Sequence, residues 1–199
     1  MDQGDLAAGK KNAARLKAAL VFIDESGLLM APLVRRSWAP RGHPPVLRQR
    51  TRSHRKVSII AALCVSPARD RVRCFFRLHP DTNVSADLIV DFLRHLSRQL
   101  RTPLVLVWDR LQAHRGRTVR AYIQETPAVR AVLLPPYAPE LDPVEYLWSY
   151  LKTNPLANLA PTDLDPLTDA ARHHARSLQR NETLLRSFIK HSPLSLRLN

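Results

Sequence analysis

The sequence predicts an α/β fold in which a mixed sheet is flanked by helices. Three observations support this: an apolar run at 20–23, two β-prone segments at 57–65 and 72–78, and an alternation of helical patterns with short apolar runs beyond them. Neighbouring β-prone segments joined by a turn are typical of an antiparallel hairpin, whereas strands separated by helices are typical of parallel pairing. We therefore expect both kinds of pairing in one sheet.

The elements before the hairpin follow from local patterns. Residues 6–19 are rich in alanine and predict a short N-terminal helix, and the apolar run at 20–23 predicts a short buried strand. Gly27 permits a turn into a second extended segment at 28–34. Pro32 within that segment indicates an edge strand, and the prolines that follow predict an irregular loop as far as the hairpin.

The second half of the chain alternates helices and strands. Apolar residues between 88 and 100 recur at helical spacing behind the capping candidates Asn83 and Ser85, which predicts a helix. The unbroken run LVLVW at 104–108 predicts a strand that is buried on both faces. The remaining patterns predict a helix at 114–126, a strand at 131–134, a helix at 143–152, a loop at 153–165, and helices at 166–179 and 182–191.

Composition limits the class of protein. The 199 residues are 45% hydrophobic, enough for one substantial core, and Lys plus Arg outnumber Asp plus Glu by 31 to 17. A net charge of +14 attracts polyanions, so nucleic acid is the leading partner. No apolar run approaches the ~18 residues of a membrane span, and the N-terminus lacks a secretory core, so we expect a soluble cytoplasmic protein without a membrane partner. Cys64 and Cys74 are expected to be buried free thiols.

Positive charge is concentrated in one segment, here called the basic strip, residues 35–56. No acidic residue occurs between Ser26 and Arg69. The strip is a candidate for contact with DNA phosphates, and a solvated basic loop is the alternative. Its cationic residues are Arg35, Arg36, Arg41, Arg48, Arg50, Arg52, Arg55 and Lys56.

Three carboxylates stand out by their placement. Asp24 ends the first apolar run, Asp109 ends the run LVLVW, and Glu145 lies in the first turn of a later helix. If the strands that carry the two aspartates are parallel neighbours, both carboxylates emerge at one edge of the sheet, where Glu145 can join them. Such an oxygen-rich site suits Mg²⁺ or Mn²⁺.

Each carboxylate also has a structural interpretation. Asp24 with the residues after it fits a turn, and Asp109 fits the end of a strand or the cap of a helix. Asp142, Pro143 and Glu145 fit an N-cap, a proline at the first helical position and an acid at the third, close to a capping box. The three residues together, in this order of elements, favour a metal site.

Several other residues allow more than one interpretation. His114 either contacts the scissile phosphate, fixes the second carboxylate, or begins a helix. Lys152 is either a phosphate contact or an ordinary solvent-facing lysine. We expect Trp38, Trp108 and Trp148 to serve mainly in packing, and Tyr137 to be structural rather than a base-stacking residue.

Four segments resemble the catalytic-domain blocks of bacterial insertion-sequence transposases of the mariner superfamily. They are VFIDESG at 21–27, SWAPRGHPP at 37–45, LVLVWDRLQAHR at 104–115 and LLPPYAPELDPVEYLWSYLK at 133–152. The resemblance implies a ribonuclease-H-like fold and places the family's DDE triad on Asp24, Asp109 and Glu145, with 35 residues between the last two. It also implies cleavage of transposon ends and joining to target DNA, at a TA dinucleotide, by two-metal phosphoryl transfer.

The resemblance divides the chain into an N-terminal helical linker at 1–19, a DDE catalytic domain at 20–153, and a C-terminal helical extension at 154–199 packed on it. Asp142 stands where the family often has Asn, which adds a negative charge beside the metal site. Only 23 residues precede Asp24, too few for the family's helix-turn-helix region that reads transposon ends. We therefore expect a separately encoded helix-turn-helix subunit or a truncated copy, with a homodimer as a further candidate assembly.

Two other functions stay open at this point. A non-catalytic DNA-binding remnant would keep the fold and the basic strip without transposition. A ribonuclease-H-like nuclease would instead cleave RNA in RNA/DNA hybrids.

Overall fold

The computed structural model describes residue 13 and residues 16–31, 33–48, 55–194 and 196–199. Within these ranges five strands form one sheet of order β3-β2-β1-β4-β5. The pairings β1–β2 and β2–β3 are antiparallel, and β1–β4 and β4–β5 are parallel, as the mixed-sheet prediction requires. The strands are β1 (Ala19–Leu29), β2 (Lys56–Val65), β3 (Val72–Pro80), β4 (Leu104–Trp108) and β5 (Val129–Leu133).

Helices cover both faces of the sheet. They are α1 (Ala86–Leu100), α2 (Arg117–Glu125), α3 (Pro143–Thr153), α4 (Leu164–Arg180) and α5 (Glu182–His191), with 3₁₀ turns at Gln112–Arg115 and Pro139–Leu141. One apolar core lies between the sheet and α1 with α2, and a second lies between the sheet and α3, α4 and α5. In the part of the chain that the structure describes, no helix is both long and apolar enough to cross a membrane.

One prediction about the first strand is wrong, and the predicted helix before it has the wrong end. The expected turn at Gly27 is absent, because β1 runs without interruption from Ala19 to Leu29 and Gly27 pairs with Ser58 of the long strand β2. The predicted N-terminal helix lies mostly outside the described residues, and it cannot extend to residue 19 because Ala19 already belongs to β1. Pro32 also lies outside the described residues.

The predicted helix at 114–126 is divided. A 3₁₀ turn ends at Arg115, and α2 begins at Arg117. Gly116 separates them at a point of close packing, where an added Cβ would lie 2.7 Å from the Cβ of Ala86 at the start of α1. The backbone therefore passes α1 too closely for a side chain at this position.

The unequal lengths of β1 and β4 create a space at the edge of the sheet. The parallel pairing of β1 with β4 ends at Phe22 and Val107, while β1 continues to Leu29 along β2. Beyond Phe22, no strand of the described part of the chain lies on this side of β1, and the chain leaves β4 here at Asp109. Successive side chains of β1 point to opposite faces, so Asp24 faces α3 and Glu25 faces the 3₁₀ turn after β4.

Candidate active site

Four carboxylates line one cleft of about 210 Å³ in this space: Asp24, Asp109, Asp142 and Glu145. The remaining wall is the stiff segment from Leu134 to Pro139, and no lysine or arginine among the described residues lines the cleft. The three sequence-predicted carboxylates therefore share one cavity, with Asp142 as a fourth, as expected from its position.

Asp24 lies in the middle of β1, which corrects its predicted place in a turn at the end of a strand. Its Oδ2 accepts a hydrogen bond of 2.7 Å from the indole Nε1 of Trp148 on α3. Burial raises the pKa of Asp24 from 3.8 to about 7, although the Trp148 hydrogen bond opposes this, and the charges of Glu25 and Glu145 raise it further. The site thus disfavours an unneutralised charge on Asp24.

Asp109 follows β4 and is half exposed. Its Oδ1 accepts a hydrogen bond of 2.9 Å from the backbone N–H of Leu111 and lies 2.9 Å from Nδ1 of His114. The His114 hydrogen bond lowers the pKa of Asp109 despite partial burial, so this carboxylate is held in its charged form. Among the described residues no hydrogen bond reaches its Oδ2.

His114 is buried between two acids and stacks on Trp108, with ring centroids 4.5 Å apart. Its Nε2 lies 3.0 Å from Oε1 of Glu25, and its Nδ1 faces Asp109. Burial alone lowers its pKa, but the hydrogen bonds and charges of Asp109 and Glu25 outweigh burial and raise the pKa to about 10. Both ring nitrogens are engaged, so His114 holds the second carboxylate rather than beginning a helix.

At the start of α3, the residue that caps the helix also lines the cleft. Asp142 caps the helix by accepting a 2.9 Å hydrogen bond from the N–H of Val144, as the capping interpretation predicted. The backbone N–H of Asp142 donates to the carbonyl of Pro139, while Glu145 lines the cleft. Burial, and then the charge of Asp24, raises the pKa of Asp142 well above its usual range.

The donor set fits a hard divalent cation. Within the described ranges, no group of three or more His, Cys, Asp or Glu side chains is already arranged to hold a metal ion. However, four acids share a cleft, no lysine or arginine of the described part of the chain lies on its wall, and the pKa values of Asp24 and Asp142 are raised. Carboxylate oxygens are the ligands that Mg²⁺ and Mn²⁺ prefer, and such an ion would relieve the repulsion.

The basic strip is mostly exposed. The segment 33–48 contains no helix or strand, and Arg35, Arg36, Arg41 and Arg48 are exposed on it. Arg50 and Arg52 lie outside the described residues, and Lys56 is half-buried at the start of β2. Arg55 forms ion pairs with Asp163 at 2.7 Å and Asp81 at 3.3 Å.

Lys152 and the aromatic residues differ partly from expectation. Lys152 is half-buried and donates a 2.7 Å hydrogen bond to Ser26, so it is not an ordinary solvent-facing lysine. Trp108 and Trp148 are buried as predicted, but Trp38 is fully exposed, so its predicted packing role is wrong. Tyr137 is also fully exposed, on the wall of the cleft, so the expectation of a structural tyrosine is wrong.

Glu25 belongs to the site although the sequence did not predict this, since the residues after Asp24 were predicted to form a turn. The available signal was its position directly after Asp24, which places it on the opposite face if the strand continues. Cys64 and Cys74 are buried free thiols, as predicted.

The fold matches solved transposase structures. A Mos1 transposase paired-end complex with left transposon end has a TM-score of 0.65 at 18% identity, and the match covers 96% of this chain and 57% of that one. The catalytic domain of Mos1 mariner transposase has a TM-score of 0.60 at 15% identity, covering 96% and 85%. The same catalytic domain with raltegravir and Mg has a TM-score of 0.60 at 16% identity, covering 96% and 88%.

These similarities confirm the ribonuclease-H-like fold, and the chain spans little more than half of the Mos1 chain in the complex with transposon-end DNA. No curated protein sequence matches the chain. Among known families, the one described as DDE superfamily endonuclease matches residues 19–168, which include Asp24, Asp109 and Glu145. The chain therefore belongs to the DDE superfamily endonucleases.

Proposed function

We propose that this chain is the catalytic part of a DNA transposase of a bacterial insertion sequence, which cuts transposon ends and joins them to target DNA in the cytoplasm. The observation that carries the proposal is the convergence of Asp24, Asp109 and Glu145 on one cleft in a DDE endonuclease. The resemblance of residues 133–152 to insertion-sequence blocks supports the bacterial assignment.

The residues of the cleft divide the work. Asp24, Asp109 and Glu145 would hold two Mg²⁺ or Mn²⁺ ions, which when bound supply activation of the attacking oxygen and stabilisation of the leaving oxygen. Trp148 orients Asp24 and His114 orients Asp109 through the hydrogen bonds described above. Asp142 caps α3 and adds a fourth carboxyl group to the wall.

DNA contact is assigned to the surface around the cleft. The exposed arginines of the segment 33–48 bind phosphates, and Tyr137 offers an aromatic ring on the wall of the cleft that can stack on a base. Lys152 already donates a hydrogen bond to Ser26, so its first partner is Ser26 and not a DNA phosphate. Recognition of transposon ends belongs to a separately encoded helix-turn-helix subunit, and a homodimer would supply two active sites for two ends.

The test is strand cleavage and transfer on DNA that carries the ends of the protein's own element, with the end-reading partner present. With Mg²⁺ or Mn²⁺ we expect a free 3′-hydroxyl at the transposon end and then a joined product, and with EDTA neither. Cleavage of the RNA strand in an RNA/DNA hybrid, without cleavage of duplex DNA, would instead establish the nuclease alternative.

Binding through the basic strip predicts a specific salt dependence. The triple replacement of Arg36, Arg41 and Arg48 by Ala should flatten the log-log plot of DNA affinity against salt by about 0.9 for each phosphate that the protein no longer neutralises. Filter binding or fluorescence anisotropy between low and moderate salt measures this slope.

Arg55→Ala is the matched control for that measurement. Arg55 lies in the same strip, but its guanidinium pairs with Asp81 and Asp163. We therefore expect its removal to leave the slope nearly unchanged. If the triple variant keeps the wild-type slope, the strip is only a solvated loop.

A further inference from the structure

Glu25 is an acidic residue whose side chain is almost completely buried. Its side chain is only 8% exposed, on the face of the sheet opposite Asp24. Its Oε1 accepts a hydrogen bond from His114, while its Oε2 is buried without a hydrogen-bond partner in the described part of the chain. Burying a half-satisfied carboxylate costs stability, so packing alone does not explain an acid here.

His114, the partner of Glu25, is held in place by three neighbouring side chains. The ring of His114 stacks on Trp108 with an interplanar angle of 8°, its Nε2 faces Glu25 at 3.0 Å, and its Nδ1 faces Oδ1 of Asp109 at 2.9 Å. The side chain of His114 is fully buried, whereas that of Asp109 is half exposed. The ring therefore forms a rigid link between a buried acid and an acid at the cleft.

We propose that Glu25 is a positioning residue for the metal site, acting through His114 on Asp109. Fixing the ring keeps Oδ1 of Asp109 occupied and leaves Oδ2, which has no hydrogen bond among the described residues, available to an ion in the cleft. This inference rests on the proposed function. Hydrogen-bond partners behind a metal ligand typically change metal affinity by about 10- to 100-fold when they are removed.

The test measures Mn²⁺ affinity of the full chain by the electron paramagnetic resonance signal of free Mn²⁺, without DNA, so the readout does not depend on activity. Glu25→Ala should weaken binding by about 10-fold, the lower end of that range, because Glu25 acts on Asp109 through His114. Glu25→Gln should stay within about threefold of wild type, because its amide oxygen can still accept the hydrogen bond from Nε2 of His114 and keep the ring in place. The side-chain N–H signals of His114, observed by NMR, should persist in Glu25→Gln and disappear in Glu25→Ala.

Glu182→Ala is the control for general destabilisation. Glu182 also accepts a hydrogen bond across the fold, from the N–H of Val72, but it lies at the start of α5 and does not line the cleft. We expect it to bind Mn²⁺ like wild type.

Three outcomes would overturn the inference alone: wild-type affinity in Glu25→Ala, equal losses in the Gln and Ala variants, or an equal loss in Glu182→Ala. Failure of the wild-type protein to bind Mn²⁺ at all would overturn the proposed metal chemistry as well. The two failures are therefore distinguishable.

Discussion

Asp109→Asn is expected to abolish DNA cleavage and joining while the protein remains folded and binds DNA. Asparagine has nearly the shape of aspartate, and its Oδ1 can still accept the hydrogen bonds from Leu111 and His114. It lacks the charge needed to hold a divalent ion. We expect a loss of at least ~10³-fold in the rate of cleavage, a scale typical of removing one essential catalytic group.

The measurement is strand-transfer activity at matched DNA occupancy, with the end-reading partner supplied. DNA affinity should persist or increase in the variant, because one negative charge near the phosphates has been removed. Asp91→Asn provides the control, since it removes one charge from an exposed residue of α1 outside the cleft. Equal activity in wild type and Asp109→Asn would contradict the DDE mechanism, and no activity in either would favour the DNA-binding remnant.

The parts of the site that could be predicted are those encoded locally. Asp109 directly follows an unbroken apolar run, and Glu145 follows a capping residue and a proline, so their positions at a strand end and in a first helical turn could be predicted from neighbouring residues. The alternation of apolar runs with helical patterns likewise predicted the mixed sheet, because burial on both faces leaves a distinctive run of residues.

The parts that could not be predicted depend on partners far along the chain. Gly27 permits a turn, but its pairing with Ser58 of β2 keeps it in a strand, and this continuation puts Asp24 and Glu25 on opposite faces. Glu25 meets His114 across 89 residues, and Arg55 of the basic strip meets Asp163 across 108 residues. No local pattern contains such pairings.

Asp24→Asn is expected to stabilise the metal-free protein at neutral pH while removing its activity. The pKa of Asp24 is about 7 in the folded protein against 3.8 ordinarily, so the folded state binds its proton more tightly than the unfolded state. That contribution to stability is complete below about pH 4 and is lost as the pH rises through 7. Asparagine never ionises, and its Oδ1 can still accept the hydrogen bond of Trp148.

The shift corresponds to at most about 4 kcal/mol, and about 2–4 °C in melting temperature is expected for each kcal/mol gained in a chain of this size. Thermal unfolding in EDTA should therefore show a higher melting temperature for the variant at pH 8 and no difference at pH 4. The comparison reports the charge of Asp24 together with its effect on Asp142, while groups outside the cleft titrate alike in both proteins. Adding Mg²⁺ or Mn²⁺ at pH 8 should raise the melting temperature of wild type and not that of the variant, because only the ionised carboxylate helps to hold the ion in the folded state.

Equal stabilisation of both proteins by the ion would remove Asp24 from the metal site. A difference in melting temperature of the same size at both pH values would show that the ionisation of Asp24 is not what destabilises the cleft.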